Sequence, residues 1–182
     1  MTTKQWVRIT PDSVTLNGEQ LSTKAQGAAL LTEIYRARIN DYPKFFKMDE
    51  LSKLGFIASE LILQNGDHHR DSEDRAVILF NRSSSVCNDR KYQETIQDSD
   101  NYFPSPSVFV YTLPNIVTGE IAIRNGYYGE TSFYVLDHND ETLIQQTLEA
   151  SFLDGMTQSA ICGWLDCEDQ DHFEAYIRLV EK

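Results

Sequence analysis

The side chains able to carry acid–base, nucleophilic or metal chemistry near neutral pH are four histidines and three cysteines. Cys87, Cys162 and Cys167 are odd in number and lack the spacing of a zinc or dithiol site, so they read as reduced thiols of a cytoplasmic protein. His68 and His69 follow Asp67 in the charged loop GDHHRDSED, where adjacent histidines are ordinarily solvated; no metal and no cofactor is assigned. Cys87 falls in a polar loop, Ser83 to Asp89, with no helix start or histidine tied to it, and reads as an inert thiol. His138 lies in the corner Asp137-His138-Asn139-Asp140. Two readings of it stay open: a solvated residue at a helix entry capped by Asn139 or Asp137, or a general base paired with Asp137.

Periodicity supplies the elements around these residues. Trp6 to Thr10 alternates as a strand, and Pro11-Asp12 and Asn17-Gly18 turn the chain through a small excursion. Residues 24–39 read as a helix interrupted by glycine, and residues 45–64 as a helix whose one stripe is Met48, Leu51, Leu54, Ile57, Ala58, Leu61 and Ile62, stopped at Asn65-Gly66. Arg75 to Asn81 is a continuous apolar run, as in a strand buried on both faces. Val108 to Arg124 reads as one helix containing Pro114, with Gly119 explained by close packing. Ser132 to Leu136 is a third strand, and Leu143, Ile144, Thr147, Leu148 and Phe152 form the stripe of the following helix. Ser159 to Leu165 and Phe173 to Val180 complete the strands, the last alternating as a half-exposed one.

A chain of 182 residues suits one domain spanning 1–182, and no apolar run approaches a membrane span or a signal core. Sixteen Lys+Arg against 28 Asp+Glu leave a net charge of −12, which argues against nucleic-acid or anionic-membrane partners because both need clustered positive charge.

Between Ser105 and Gly163 the order is helix, Gly126-x-x-Gly129 turn, uncharged strand, polar corner, amphipathic helix, Gly155, and an apolar strand ending in Gly163. That order resembles the nucleophile region of the β-ketoacyl-acyl-carrier-protein synthases, the condensing enzymes of the thiolase fold, with Asn115-x-x-x-Gly119 leading into the turn. Met48-Asp49-x-x-Ser52 resembles the helix that follows their first strand. The resemblance places His138 where the family carries its catalytic Cys, and Trp164 where it carries a second glycine. An imidazole there cannot form the same stable acyl-enzyme.

The resemblance implies an α/β chain equal to a single half of the thiolase fold. Its five-stranded mixed sheet would have the order 3-2-1-4-5, the last strand antiparallel, and helices on both faces. It implies too that the second half, which brings two histidines and a lysine to the active site, is missing. The expected function is a non-catalytic, half-length relative acting as an accessory or partner subunit in fatty-acid or polyketide-like biosynthesis. The alternatives are a 3-oxoacyl-acyl-carrier-protein synthase subunit completed by a second chain, and an acyl or small-molecule binding domain. In the expected order the third strand is an edge, and Ser132, Phe133, Tyr134, Val135 and Leu136 carry no charge, proline or glycine. Such an edge predicts a homodimer, or a heterodimer with a full-length synthase, with residues 18–44 as the rival cover. An acyl carrier protein is the further partner the family implies, though a chain this acidic repels an acidic carrier at long range.

Overall fold

The computed structural model describes residues 1–64, 66, 68–100 and 102–182, so Asn65, Asp67 and the roles expected of them lie outside it. Seven strands, β1 (Thr2–Thr10), β2 (Ser13–Leu16), β3 (Glu19–Gln20), β4 (Arg75–Asn81), β5 (Thr131–Val135), β6 (Ser159–Cys167) and β7 (Phe173–Glu181), form one sheet in the order β3-β2-β1-β7-β6-β4-β5. The expected five strands and their order 3-2-1-4-5 are both corrected. The residues give the reason: every residue of β4 and β6 is buried, so these strands adjoin where helices cover both faces, whereas β1 alternates and has only one covered face. β1 therefore lies beyond β7, antiparallel to it from Thr2↔Glu181 to Ile9↔Ala175. The excursion after β1 supplies the two extra strands. The last strand, β7, runs antiparallel to both neighbours as expected, and β5 is an edge, parallel to β4.

Helices α1 (Ala28–Arg38), α2 (Glu50–Leu63) and α5 (Ile116–Asn125) pack on one face. The single stripe expected of α2 is corrected, because 13 of its 14 residues are buried: the sheet lies beneath it and α1, α5 and α3 (Val86–Glu94) surround it. Its start is set by Asp49, whose carboxylate accepts from Ser52 N at 3.0 Å, and Pro43–Lys47 is a separate 3-10 turn. The long helix expected over 108–124 is likewise broken, into α4 (Pro106–Phe109), a 3-10 turn Val110–Thr112, and α5 after Pro114. Gly119 has nothing near its absent Cβ, so close packing does not explain it.

On the other face α6 (Glu141–Phe152) lays Ile144, Leu148 and Phe152 against Ala76, Ile78, Phe80, Ala160, Cys162 and Trp164. Burying each of those three side chains stabilises by about 1.5–3 kcal/mol. α6 packs mainly on β4 and β6, and its Glu141 reaches β7, with Oε1 2.6 Å from Arg178 Nη1. Beside it, Trp6, Arg8, Trp164, Glu174 and Tyr176 line a groove of about 430 Å³ with Asn139, over β7 and β1.

Candidate functional site

The parallel strands β4, β5 and β6 end together, and their exits build the corner that the sequence marks for chemistry. At β6 the carboxylate of Asp166 accepts from Arg82 N at 3.1 Å, Ser83 N at 2.8 Å and Ser83 Oγ at 3.1 Å, which clamps the loop leaving β4. Asn81 closes that loop, donating to Ser84 O at 2.8 Å and accepting from Ser84 N at 3.1 Å. On the β5 side, Leu136 N donates to Asn81 O at 2.8 Å.

The expected loop over 83–89 is corrected from Val86 onward, where α3 begins. Ser85 precedes it, with its Oγ 2.6 Å from Thr112 O, and Asn88 donates to Val108 O at 2.7 Å, so the first turn of α3 holds the segment 106–112 in place. Cys87 lies in this first turn, buried, and Cys167, buried at the end of β6, donates its thiol to Asp169 O at 3.4 Å. Cys162 is apart, under α6, where burial pushes its thiol up to about 11.

His138 sits in the loop between β5 and α6, and its side chain is 68% exposed. Its Nδ1 lies 2.7 Å from Asp137 Oδ1, the sole hydrogen bond of its ring among the described residues. The helix cap is neither Asn139 nor Asp137. Asp140 caps α6, accepting from Leu143 N at 3.0 Å, and this leaves His138 two residues outside the helix, away from its dipole. His68 and His69 turn to separate partners, Asn125 at 2.9 Å and Asp74 at 3.0 Å.

Of the motif residues, Asn115 precedes α5 and Gly126 ends it in the left-handed region. Gly129 lets the chain pass the backbone of Arg75, Gly155 takes a turn at φ +79° in open space, and Gly163 lies in β6 against β7. Trp164 is buried on the α6 face, its indole donating to Glu174 at 2.9 Å. The Asp166 clamp and α3 are not signalled by the sequence, because the clamp's partners are 83 and 84 residues away and α3 has too few apolar residues to announce itself.

No family model and no curated protein matches the sequence. Solved structures do match, and they define the class of fold: that of the ketosynthases. "The ishigamide ketosynthase/chain length factor" superposes with a TM-score of 0.70 at 15% identity, over 99% of this chain and 61% of that one. A ketosynthase (ApeO) in complex with its chain length factor (ApeC) from Xenorhabdus doucetiae gives 0.62 at 12%, over 100% and 79%. AntDE:AntF, a type II PKS acyl-carrier protein in complex with its ketosynthase bound to the hexaketide, gives 0.62 at 14%, over 99% and 62%. At these identities the likeness is one of fold, and the chain spans less than two-thirds of the length of the first of them.

Proposed function

We propose that this chain is a non-catalytic partner subunit of β-ketoacyl-synthase type in a polyketide- or fatty-acid-like pathway, pairing through β5 with a full-length synthase or with a second copy of itself. The observation that carries the reading is the β5 edge. Among the described residues it pairs with β4 alone, and Tyr134 and Val135 are 40% and 52% exposed. Residues 18–44 lie at the opposite side of the sheet, in β3 and around α1, and so leave the edge uncovered. An uncharged open edge pairs with another chain or aggregates. Around Thr112, whose carbonyl accepts from Ser85 after the exit of β4, the side chains Phe109, Val110 and Leu113 are exposed as well. The absence of a thiol at 138 and the exposed imidazole there support the non-catalytic part. That one neighbour is a ketosynthase in complex with its chain length factor supports the heterodimer.

Sedimentation of wild type and Tyr134→Pro, each alone and with a full-length synthase, tests the interface. Wild type is expected to dimerise or to bind the synthase and the variant to remain folded but single; a wild type that stays monomeric in both settings overturns it. Intact mass after incubation with acyl-CoA tests the chemistry, with no adduct expected.

A second reading, an enzyme subunit completed by another chain, rests on the groove over β7 and β1. Trp6, Arg8 and Tyr176 there have the composition of an interface, and Arg178, beside Tyr176, pairs its Nη1 with Glu141 but keeps Nε and Nη2 buried with no hydrogen-bond partner among the described residues.

A further inference from the structure

We infer that the groove beside α6 is a binding site for a planar aromatic monocarboxylate, its acid group held by Arg8 and its ring lying against Trp6, Tyr176 and Trp164. Alternation along the strands builds the site. Val7, Ile9, Ala175 and Ile177 point into the core beneath α2, which sends Trp6 and Arg8 of β1 and Glu174, Tyr176 and Arg178 of β7 to the face shared with α6. Register then sets the rows: Arg8, Tyr176 and Trp164 lie side by side across three strands, and Trp6 lies opposite Arg178.

Three rings form the apolar wall. Trp6 and Tyr176 meet with their centroids 5.9 Å apart and their planes at 58°, and both are only half-buried. Trp164 is fixed beside them by the hydrogen bond from its indole to Glu174, at 2.9 Å. Flat apolar surface of this kind is best covered by another flat ring, stacked or edge-on. The groove's volume, about 430 Å³, falls within the range of small-molecule sites, about 300–1,000 Å³, and leaves room for a ligand of one or two rings.

The charges select the acid. Although the chain carries a net charge of −12, the Arg8 guanidinium is exposed and has no ion pair or hydrogen bond among the described residues. A guanidinium fork matches a carboxylate through two parallel hydrogen bonds, a geometry that a lysine could not offer. Arg178, its Cζ 5.5 Å from the centre of the Tyr176 ring, pairs Nη1 with Glu141 at 2.6 Å but keeps Nε and Nη2 buried with no hydrogen-bond partner among the described residues. Positive charge therefore also stands behind the aromatic wall. Glu174, which lines the same groove, limits the ligand to one acid group, because a second would meet a like charge. The site does not depend on pairing through β5, since β6 and β4 separate the groove from that edge.

The test titrates naphthoate into the isotope-labelled protein and follows the two tryptophan indole signals by NMR, with calorimetry for the affinity. Trp6 and Trp164 both border the groove, so both signals are expected to move along one saturable curve. Naphthamide keeps the shape and loses the charge, and cyclohexanecarboxylate keeps the acid and loses the flat ring. Each is expected to bind at least about tenfold more weakly to the wild type, as is naphthoate to Arg8→Gln. The comparison of acid with amide needs no variant, so it stands whether or not Arg8→Gln folds. Absence of saturable binding at millimolar naphthoate, equal affinity for acid and amide, or saturation without movement of the indole signals would each overturn the assignment. Indole signals that move on dilution of the protein alone would place a second copy in the groove, and would overturn it as well.

Discussion

At Gly163 the chain runs at φ +145°, and a Cβ there would come within 2.0 Å of Tyr176 O on β7. The clash is with backbone inside a nine-residue pairing, so nothing flexible can yield. Gly163→Ala is expected to cost on the order of 3 kcal/mol, read as a lowered urea midpoint. Its neighbour Trp164 shows the complementary case: its ring fills space under α6, and the bulk that the family pattern lacks is structural here. Asp49 makes a second prediction, in pH. Burial, the largest influence, raises its carboxyl above the ordinary range although its hydrogen bonds with Ser52 oppose this. The native state then binds this proton more tightly than the unfolded one. Stability therefore falls as pH rises from the ordinary carboxylate range to the raised native value, and the deficit persists above it. Asn keeps an acceptor for Ser52 N and removes the charge. Asp49→Asn is thus expected to flatten that slope and to be at least as stable as wild type at neutral pH, while Asp49→Ala loses the cap and about 1 kcal/mol. Thermal denaturation across pH checks both.

Among the elements, α6 depends on a cap that the sequence reading put in the wrong place. Asp140→Ala is expected to destabilise by about 1 kcal/mol, and Asp137→Ala and Asn139→Ala to stay within about 0.5 kcal/mol of wild type in chemical denaturation. The choice among three capping residues in a row is a matter of one turn of backbone, which periodicity cannot resolve. What the sequence did disclose are the strands with a clear pattern: Arg75–Asn81, the run ending in Gly163 and the alternating last strand are all present, and of the expected stripe Ile144, Leu148 and Phe152 are buried while Leu143 is exposed and Thr147 only half-buried. The alternation of Trp6 to Ile9 already contained the information that β1 is not central, since a central strand under two helical layers has no face to leave polar. The order 3-2-1-4-5 follows from the resemblance and not from this pattern. α3 stayed hidden because Asn88, Asp89, Arg90 and Lys91 read as loop, and the helix is held by Asp166 and by the segment it supports rather than by an apolar stripe. For the same reason the corner around His138 was legible as a place, through its glycines and polar run, but the Asp166 clamp was not.

For the whole molecule, the two readings of its function predict different covered surfaces, and the chain contains its own reporter. Its two tryptophans, Trp6 and Trp164, both border the groove over β7 and β1. Pairing through β5 leaves that groove in water, so intrinsic emission should stay unshifted when a synthase binds. Completion by a second chain over the groove should move the emission to shorter wavelength, and fluorescence during titration separates the two. The placement of β1 has one more consequence, in the order of events. β1, β2 and β3 fold back on one another through short turns and can pair as soon as they exist, but the other edge of β1 waits for β7, the strand farthest from it along the chain. Closing so long a loop costs entropy before any contact repays it. Until residues 173–181 arrive, the nascent chain thus consists of a meander and a β4–β6 nucleus with no strand between them, and β7 is the bolt that turns two pieces into one sheet.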